Sequence, residues 1–207
     1  MFENRETAGE RLADEFEARG VEPDLVVGIP RGGLPVARPV ADRFEVPLDV
    51  VAAKKLGLPG NPEYAIGAVA GDGTAWIDEE AVERHGVDEE YLEAERTRAA
   101  ETAREKAETY REGRGELDVT GKRVAVVDDG VATGSTARAC LRQMRSEDAE
   151  RVVLGVPVGP PESLGELESE ADEVISVERP EHFSAVGQFY REFEQVTDEA
   201  AMACLDR

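Results

Sequence analysis

The sequence predicts an α/β fold built on a doubly wound parallel sheet. Three observations carry this. Short apolar runs recur at 24–29, 46–53, 124–127, 151–158 and 171–177, with helix-patterned stretches between most of them. Two of these runs end in small-residue turns that lead directly into a helix pattern, at 30–33 and 130–136. Two carboxylates, Asp128 and Asp129, stand at the C-terminal end of the central run, where ligands of open α/β sheets bind.

Taken in order, residues 3–20 place Ala8, Leu12 and Phe16 at helical spacing, and Gly20 suits a helix stop. A buried strand follows at 24–29, then the loop Pro30-Arg31-Gly32-Gly33 and a helix over 34–44. Alone, Arg-Gly-Gly is also the sequence of a plain turn. The next strand spans 46–53 with Lys54 and Lys55 at its end. These are half of the four lysines, and they read as a solvated pair or as anion ligands. Residues 56–63 are turn-rich, and 64–70 with 74–77 form a hairpin about Gly71-Asp72-Gly73. The stretch 79–113 is highly charged. Asp88 is its N-cap, Tyr91 and Leu92 face inwards, and 93–111 is one long helix ended by Gly113. Its stripe of Ala94, Ala99, Ala100, Ala103 and Ala107 suits weak packing or an oligomer surface; His85 reads as solvated. After the central turn come a helix from Ala137, a strand at 151–158, a helix at 162–170 and a last parallel strand at 171–177. The tail holds Phe183, Phe189, Tyr190 and Phe193, four of ten Phe and Tyr residues, as a closing cap or as a wall for a planar ring. A short helix at 198–205 ends the pattern.

Length and composition fit one domain, 1–207, with a sizeable core. No apolar run approaches the ~20 residues that span a bilayer, and no secretory signal opens the chain. Cys140 and Cys204 lack metal or disulfide spacing, so a cytoplasmic protein is expected. The net charge is −22. Such self-repulsion is relieved by salt, which predicts a halophilic setting, and it argues against nucleic-acid binding.

The turn at 130–136 offers many backbone N–H groups at a helix N-terminus, a place that favours anions. Thr133, Ser135 and Thr136 add hydroxyl donors, while Asp128 and Asp129 add acceptors for hydroxyl groups. A sugar phosphate satisfies both halves. No Gly-Lys-Ser/Thr is present there, which excludes a Walker phosphate loop.

The stretch Val-Val-Asp-Asp-Gly-Val-Ala-Thr-Gly-Ser-Thr at 126–136 resembles the phosphoribosyl pyrophosphate (PRPP) signature of type I phosphoribosyltransferases. Residues 55–70, Lys-Leu-Gly-Leu-Pro-Gly-Asn-Pro-Glu-Tyr-Ala-Ile-Gly-Ala-Val-Ala, resemble one poorly characterised branch of predicted phosphoribosyltransferases. The resemblance implies a flap at about 54–78, a helical insertion at about 79–113 and a small C-terminal hood at about 178–197. It implies transfer of the 5-phosphoribosyl group from PRPP to an unidentified nitrogen acceptor, with release of pyrophosphate. Asp128 and Asp129 would hold the ribose hydroxyls and lie near Mg²⁺, which arrives bound mainly through PRPP. Gly130, Val131, Ala132, Thr133, Gly134, Ser135 and Thr136 would hold the 5′-phosphate. Arg31 and Lys55 are the catalytic candidates. With Gly32 and Gly33 they would receive pyrophosphate on a loop that often has unusual peptide geometry, and Lys54 is the other candidate lysine. Phe183, Phe189 and Tyr190 would face the acceptor, and Glu63 is a candidate flap acid. Ala132 stands where enzymes of 6-oxopurines commonly carry Asp, which disfavours hypoxanthine or guanine. Partners implied are PRPP, a small-molecule acceptor and further copies of the chain in a homo-oligomer, with no nucleic acid and no membrane. The alternative is a PRPP- or nucleotide-sensing regulator without turnover, with a phosphoribosyl hydrolase as a weaker third reading.

Overall fold

The computed structural model describes residues 1–206. Helix α1 (Arg5–Ala18) starts at Asn4, whose side chain accepts from the Thr7 amide while Thr7 reaches back to the Asn4 amide. Strand β1 (Leu25–Gly28) leads through the 29–32 loop into α2 (Gly33–Phe44) and β2 (Leu48–Val50). Strands β3 (Ala53–Leu58), β4 (Asn61–Ala70) and β5 (Ala75–Ile77) follow, then α3 (Glu79–His85) and α4 (Glu89–Tyr110). The second half alternates: β6 (Arg123–Val127), α5 (Ser135–Ser146), β7 (Arg151–Val158), α6 (Pro161–Leu167) and β8 (Glu173–Glu178). A short 3₁₀ turn (Val186–Phe189) and α7 (Asp198–Leu205) close the chain.

The main sheet is wholly parallel, in the order β2-β1-β6-β7-β8. Its strands are apolar runs because both faces are covered. Leu12, Phe16, Leu34 and Val40 from α1 and α2 meet Val26, Ala125, Val127 and Val153 on one side. Leu141 and Met144 of α5 and Leu164 and Leu167 of α6 meet Val27, Val126, Leu154 and Val156 on the other. From β1 the chain winds one way to β2; from β6 it winds the other way to β7. The reversal lies between β1 and β6, and the loops at their carboxyl ends face a shared crevice. The doubly wound sheet that the sequence predicts is therefore present.

The segment after β2 departs from expectation. Lys54 and Lys55 do not end a strand of the main sheet. They lie within β3, the first strand of a separate antiparallel sheet, β3-β4-β5. The stretch expected as turn-rich at 56–63 is strand up to Leu58 and again from Asn61, with Leu56 and Leu58 buried against Ile66, Ala81 and Ala99. The expected hairpin is there as β4 and β5. Ala68 and Ala70 pack on Ala139 of α5, which fixes the base of this sheet to the main core. Its tip, residues 59–64, is exposed.

Asp88 caps α4 as expected, accepting from the amides of Glu90 and Tyr91. The helix is not a loosely attached appendage. Ala99 and Ala103 are buried, and Tyr91 donates to the Gly57 carbonyl at 3.1 Å. Ala94 is exposed, which narrows the alanine stripe to its central part. Among the described residues no helix is long and apolar enough to cross a membrane.

Candidate active site

The two loops at the sheet reversal touch. The amide of Ile29 donates to the Val127 carbonyl at 2.9 Å, which draws the end of β1 against the end of β6. Beyond it the Pro30–Arg31 peptide is cis, the unusual geometry implied for this loop. Gly32 sits against the acid pair: a Cβ there would lie 2.0 Å from Asp129 Oδ2. A Cβ on Gly33 would lie 2.6 Å from the Val127 carbonyl oxygen. No side chain fits between these loops, so the glycine pair is what allows their contact.

The two carboxylates are held differently. Asp128 accepts the Asp129 amide at 2.8 Å through Oδ1. Asp129 Oδ2 accepts from Arg5 Nε at 2.8 Å, with the two side chains only 15% and 12% exposed. Arg5 is itself fixed by the Glu194 carbonyl at 2.9 Å and lies 3.9 Å from the centre of the Phe193 ring. Burial pushes both carboxyls up. At Asp128 the neighbouring Asp129 charge adds to burial, while Arg5 opposes the rise at Asp129. Arg5 thus keeps Asp129 the more readily ionised of the two. Breaking a buried pair of this kind costs about 3–5 kcal/mol.

The turn after the acids forms a cradle. Gly134 has φ +77°, a left-handed conformation that glycine adopts without strain, and it starts α5. The carbonyls of the turn are tied down behind it. Tyr190 Oη donates to the Asp129 carbonyl at 2.6 Å, and Ser163 Oγ donates to that of Ala132 at 2.6 Å. Val131 donates to the Val158 carbonyl at 2.9 Å. The amides of Ala132, Thr133 and Gly134 meet no acceptor among the described residues, and those of the first turn of α5 have none by helix geometry. Thr133 and Ser135 hydroxyls lie 3.2 Å apart. The result is a cavity of about 170 Å³ lined by residues 130–137, with Lys55, Asp128 and Val186.

Residues 2–194 match the family described as the phosphoribosyl transferase domain. The chain belongs to the phosphoribosyl transferase family. A candidate phosphoribosyl transferase of Mycobacterium tuberculosis is 40% identical over 208 residues, covering 100% of this chain and 47% of that protein. The chain thus spans about half the length of the curated relatives it matches. The crystal structure of TT1426 from Thermus thermophilus superposes with a TM-score of 0.83 at 42% identity, covering 99% of this chain and 97% of that one. A purine phosphoribosyltransferase from Pyrococcus horikoshii shares the fold, with a TM-score of 0.50 at 19% identity over 92% and 90% of the two chains.

Of the residues singled out in the sequence, Asp128 and 130–136 line the cavity, Asp129 adjoins them with its carboxylate on Arg5, and Gly32 and Gly33 lie against the two acids. The two lysines separate, because successive strand residues face opposite ways. Lys55 lines the cavity and acts on Asp128; Lys54 acts on Lys106 of α4. Arg31 lies 3.9 Å from Asp198, the first residue of α7. Tyr190 is a correction. It is 5% exposed and packs between Phe2 and Phe193, so its ring is no open wall, and its hydroxyl props the acid turn from behind. Phe183 and Phe189 stack on each other at 5.4 Å and remain half-buried. Glu63 lies on the exposed tip of the small sheet and His85 is exposed, its ring 5.2 Å from that of Tyr64.

Arg5, Ser163, Val186 and Lys106 were not singled out for the site. Arg5 finds Asp129 across 124 positions of sequence, which no local pattern signals. Lys106 had a signal: it is one of four lysines in a chain of net charge −22.

Proposed function

We propose that this chain transfers the 5-phosphoribosyl group of PRPP to a nitrogen acceptor and releases pyrophosphate. One observation carries the reading: an anion cradle, a carboxylate pair and a cation-bearing glycine loop meet at a single sheet reversal. These are the three partners that a 5′-phosphate, a diol and a leaving pyrophosphate require.

In this reading the amides of 132–137 and the hydroxyls of Thr133, Ser135 and Thr136 bind the 5′-phosphate. Asp128 and Asp129 accept hydrogen bonds from the ribose hydroxyls. Arg31, the 31–33 backbone and a lysine of β3 take up the charge that builds on pyrophosphate as its bond to C1 breaks. The acceptor nitrogen forms the new bond to C1 and loses its proton. The transition state resembles an oxocarbenium ion, so the protein contributes position and charge, not a covalent intermediate.

Among the described residues no group of three or more His, Cys, Asp or Glu side chains is arranged to hold a metal ion. Two adjacent carboxylates, one already engaged by Arg5, fit a Mg²⁺ held chiefly by substrate oxygens. Asp128 and Asp129 would complete its shell, and the ion would neutralise pyrophosphate charge. The half-buried Phe183 and Phe189 stand as acceptor-side candidates. The same proposal includes one functional unit over 1–207 that assembles into a homo-oligomer. It works in the cytoplasm, as the cysteine usage supports, and at high salt, as the charge supports.

Pyrophosphate release from PRPP and Mg²⁺, screened across purines, pyrimidines and small amines, tests the reading. Release with one acceptor class supports it. PRPP binding without turnover on any acceptor favours a sensing role instead.

A further inference from the structure

We propose that Lys106, on the long helix α4, is a pyrophosphate ligand that completes the leaving-group subsite together with Arg31 and Lys54. The inference deepens the PRPP reading and rests on it. It assigns a function to a helix that the sequence leaves as packing or oligomer surface.

The observations are geometric. The Lys106 ammonium donates to the Pro30 carbonyl oxygen at 3.1 Å, at the start of the glycine loop that touches the acid pair. The side chain is half-buried, yet among the described residues it forms no ion pair. Elsewhere on α4 charged groups pair along the helix, as Arg96 does with Glu93 and Arg98 with Glu95. Lys106 instead is joined to Pro30, the residue before Arg31, and the charges of Arg31 and Lys54 both reach it. Burial lowers its basicity first, and the charges of Arg31 and Lys54 lower it further, outweighing Asp198 and Asp128.

A cation that is partly desolvated and crowded by like charges costs stability. In a chain with 46 acidic residues and four lysines, a solvated or carboxylate-paired lysine would be the ordinary outcome. The arrangement is repaid by a polyanion shared among these cations, and inorganic pyrophosphate has the charge for it. A purely structural lysine would need only the Pro30 carbonyl, and would gain nothing from Arg31 and Lys54 beside it.

The test is calorimetric titration of wild-type, Lys106→Gln and Lys106→Arg proteins with inorganic pyrophosphate plus Mg²⁺, and separately with ribose 5-phosphate. Thermal melts establish that each variant is folded. Losing a charge-assisted contact predicts a pyrophosphate affinity about tenfold or more weaker in Lys106→Gln. Ribose 5-phosphate binding should change by less than about twofold, and Lys106→Arg should recover most of the loss. Pyrophosphate affinity equal to wild type in Lys106→Gln overturns the inference and leaves the PRPP reading standing. So does an equal loss of both ligands, which is the mark of a structural role. A wild-type protein that binds neither ligand overturns both.

Discussion

Gly32 shows how much one hydrogen atom can decide. Its missing Cβ leaves room for Asp129 Oδ2, which Arg5 holds in place. Gly32→Ala should push the Asp129 carboxylate off Arg5 and cost about 2–3 kcal/mol of stability, in the range for forced packing. Urea unfolding and PRPP titration should fall together; a stable variant with wild-type affinity would refute the contact. At the opposite end of the same two strands, Arg123 grips both Asp24 oxygens, at 2.9 and 2.7 Å. These hydrogen bonds hold the Asp24 carboxyl down at about 2 instead of 3.8. A depressed acid stabilises the fold above its unfolded value and loses that contribution as pH falls from about 4 to about 2. Both side chains are 41% exposed, so solvent screening keeps the gain under about 1 kcal/mol. Asp24→Asn should therefore be slightly less stable than wild type at pH 7, and the gap should narrow as pH falls from about 4 through about 2. A gap that stays constant or widens over this range would contradict the sign.

At the scale of elements, the C-terminal segment braces the site from behind. The Phe2 amide donates to the Phe189 carbonyl at 2.7 Å, and that of Arg191 to the Phe2 carbonyl at 2.9 Å, so both ends of the chain share one clasp. Tyr190 passes this order to the acid turn through its hydroxyl. Tyr190→Phe leaves the Asp129 carbonyl without that donor. It should cost about 1–3 kcal/mol and weaken PRPP binding severalfold, read by thermal melts and calorimetry. An unchanged affinity would make the segment a simple lid. The elements that were legible in sequence are those with one dominant signal. Strands β1, β6 and β7 are apolar on both faces, and α1 repeats its apolar residues every four positions. Strand β3 was hidden because Lys54 and Lys55 precede its inward pair, Leu56 and Leu58, and Gly57 splits it, so that the segment reads as a strand end and a loop. Helix α3 was hidden because only Ala81 of its seven residues is buried.

For the molecule as a whole, topology does what composition cannot. The sheet reversal brings position 32 beside position 129, and the packing of α4 brings position 106 beside position 30. The acid pair and its cradle were readable as a local motif, whereas Arg5 and Lys106 become site neighbours only once the chain is wound. Composition acts on stability instead. With a net charge of −22, repulsion is long-ranged at low salt and is cut off beyond about 10 Å at 0.1 M. Unfolding free energy should rise as KCl is raised from near zero to about 1 M; a flat or falling curve would reject a high-salt adaptation. The central claim is that one crevice grips all parts of PRPP. A crystal structure of the protein with PRPP and Mg²⁺ tests it most directly. It should show the 5′-phosphate against the amides of 132–137, the ribose hydroxyls on Asp128 and Asp129, and the pyrophosphate on the 31–33 loop. A ligand lodged outside this crevice, or bound with its phosphate remote from Thr133 and Ser135, would contradict the account.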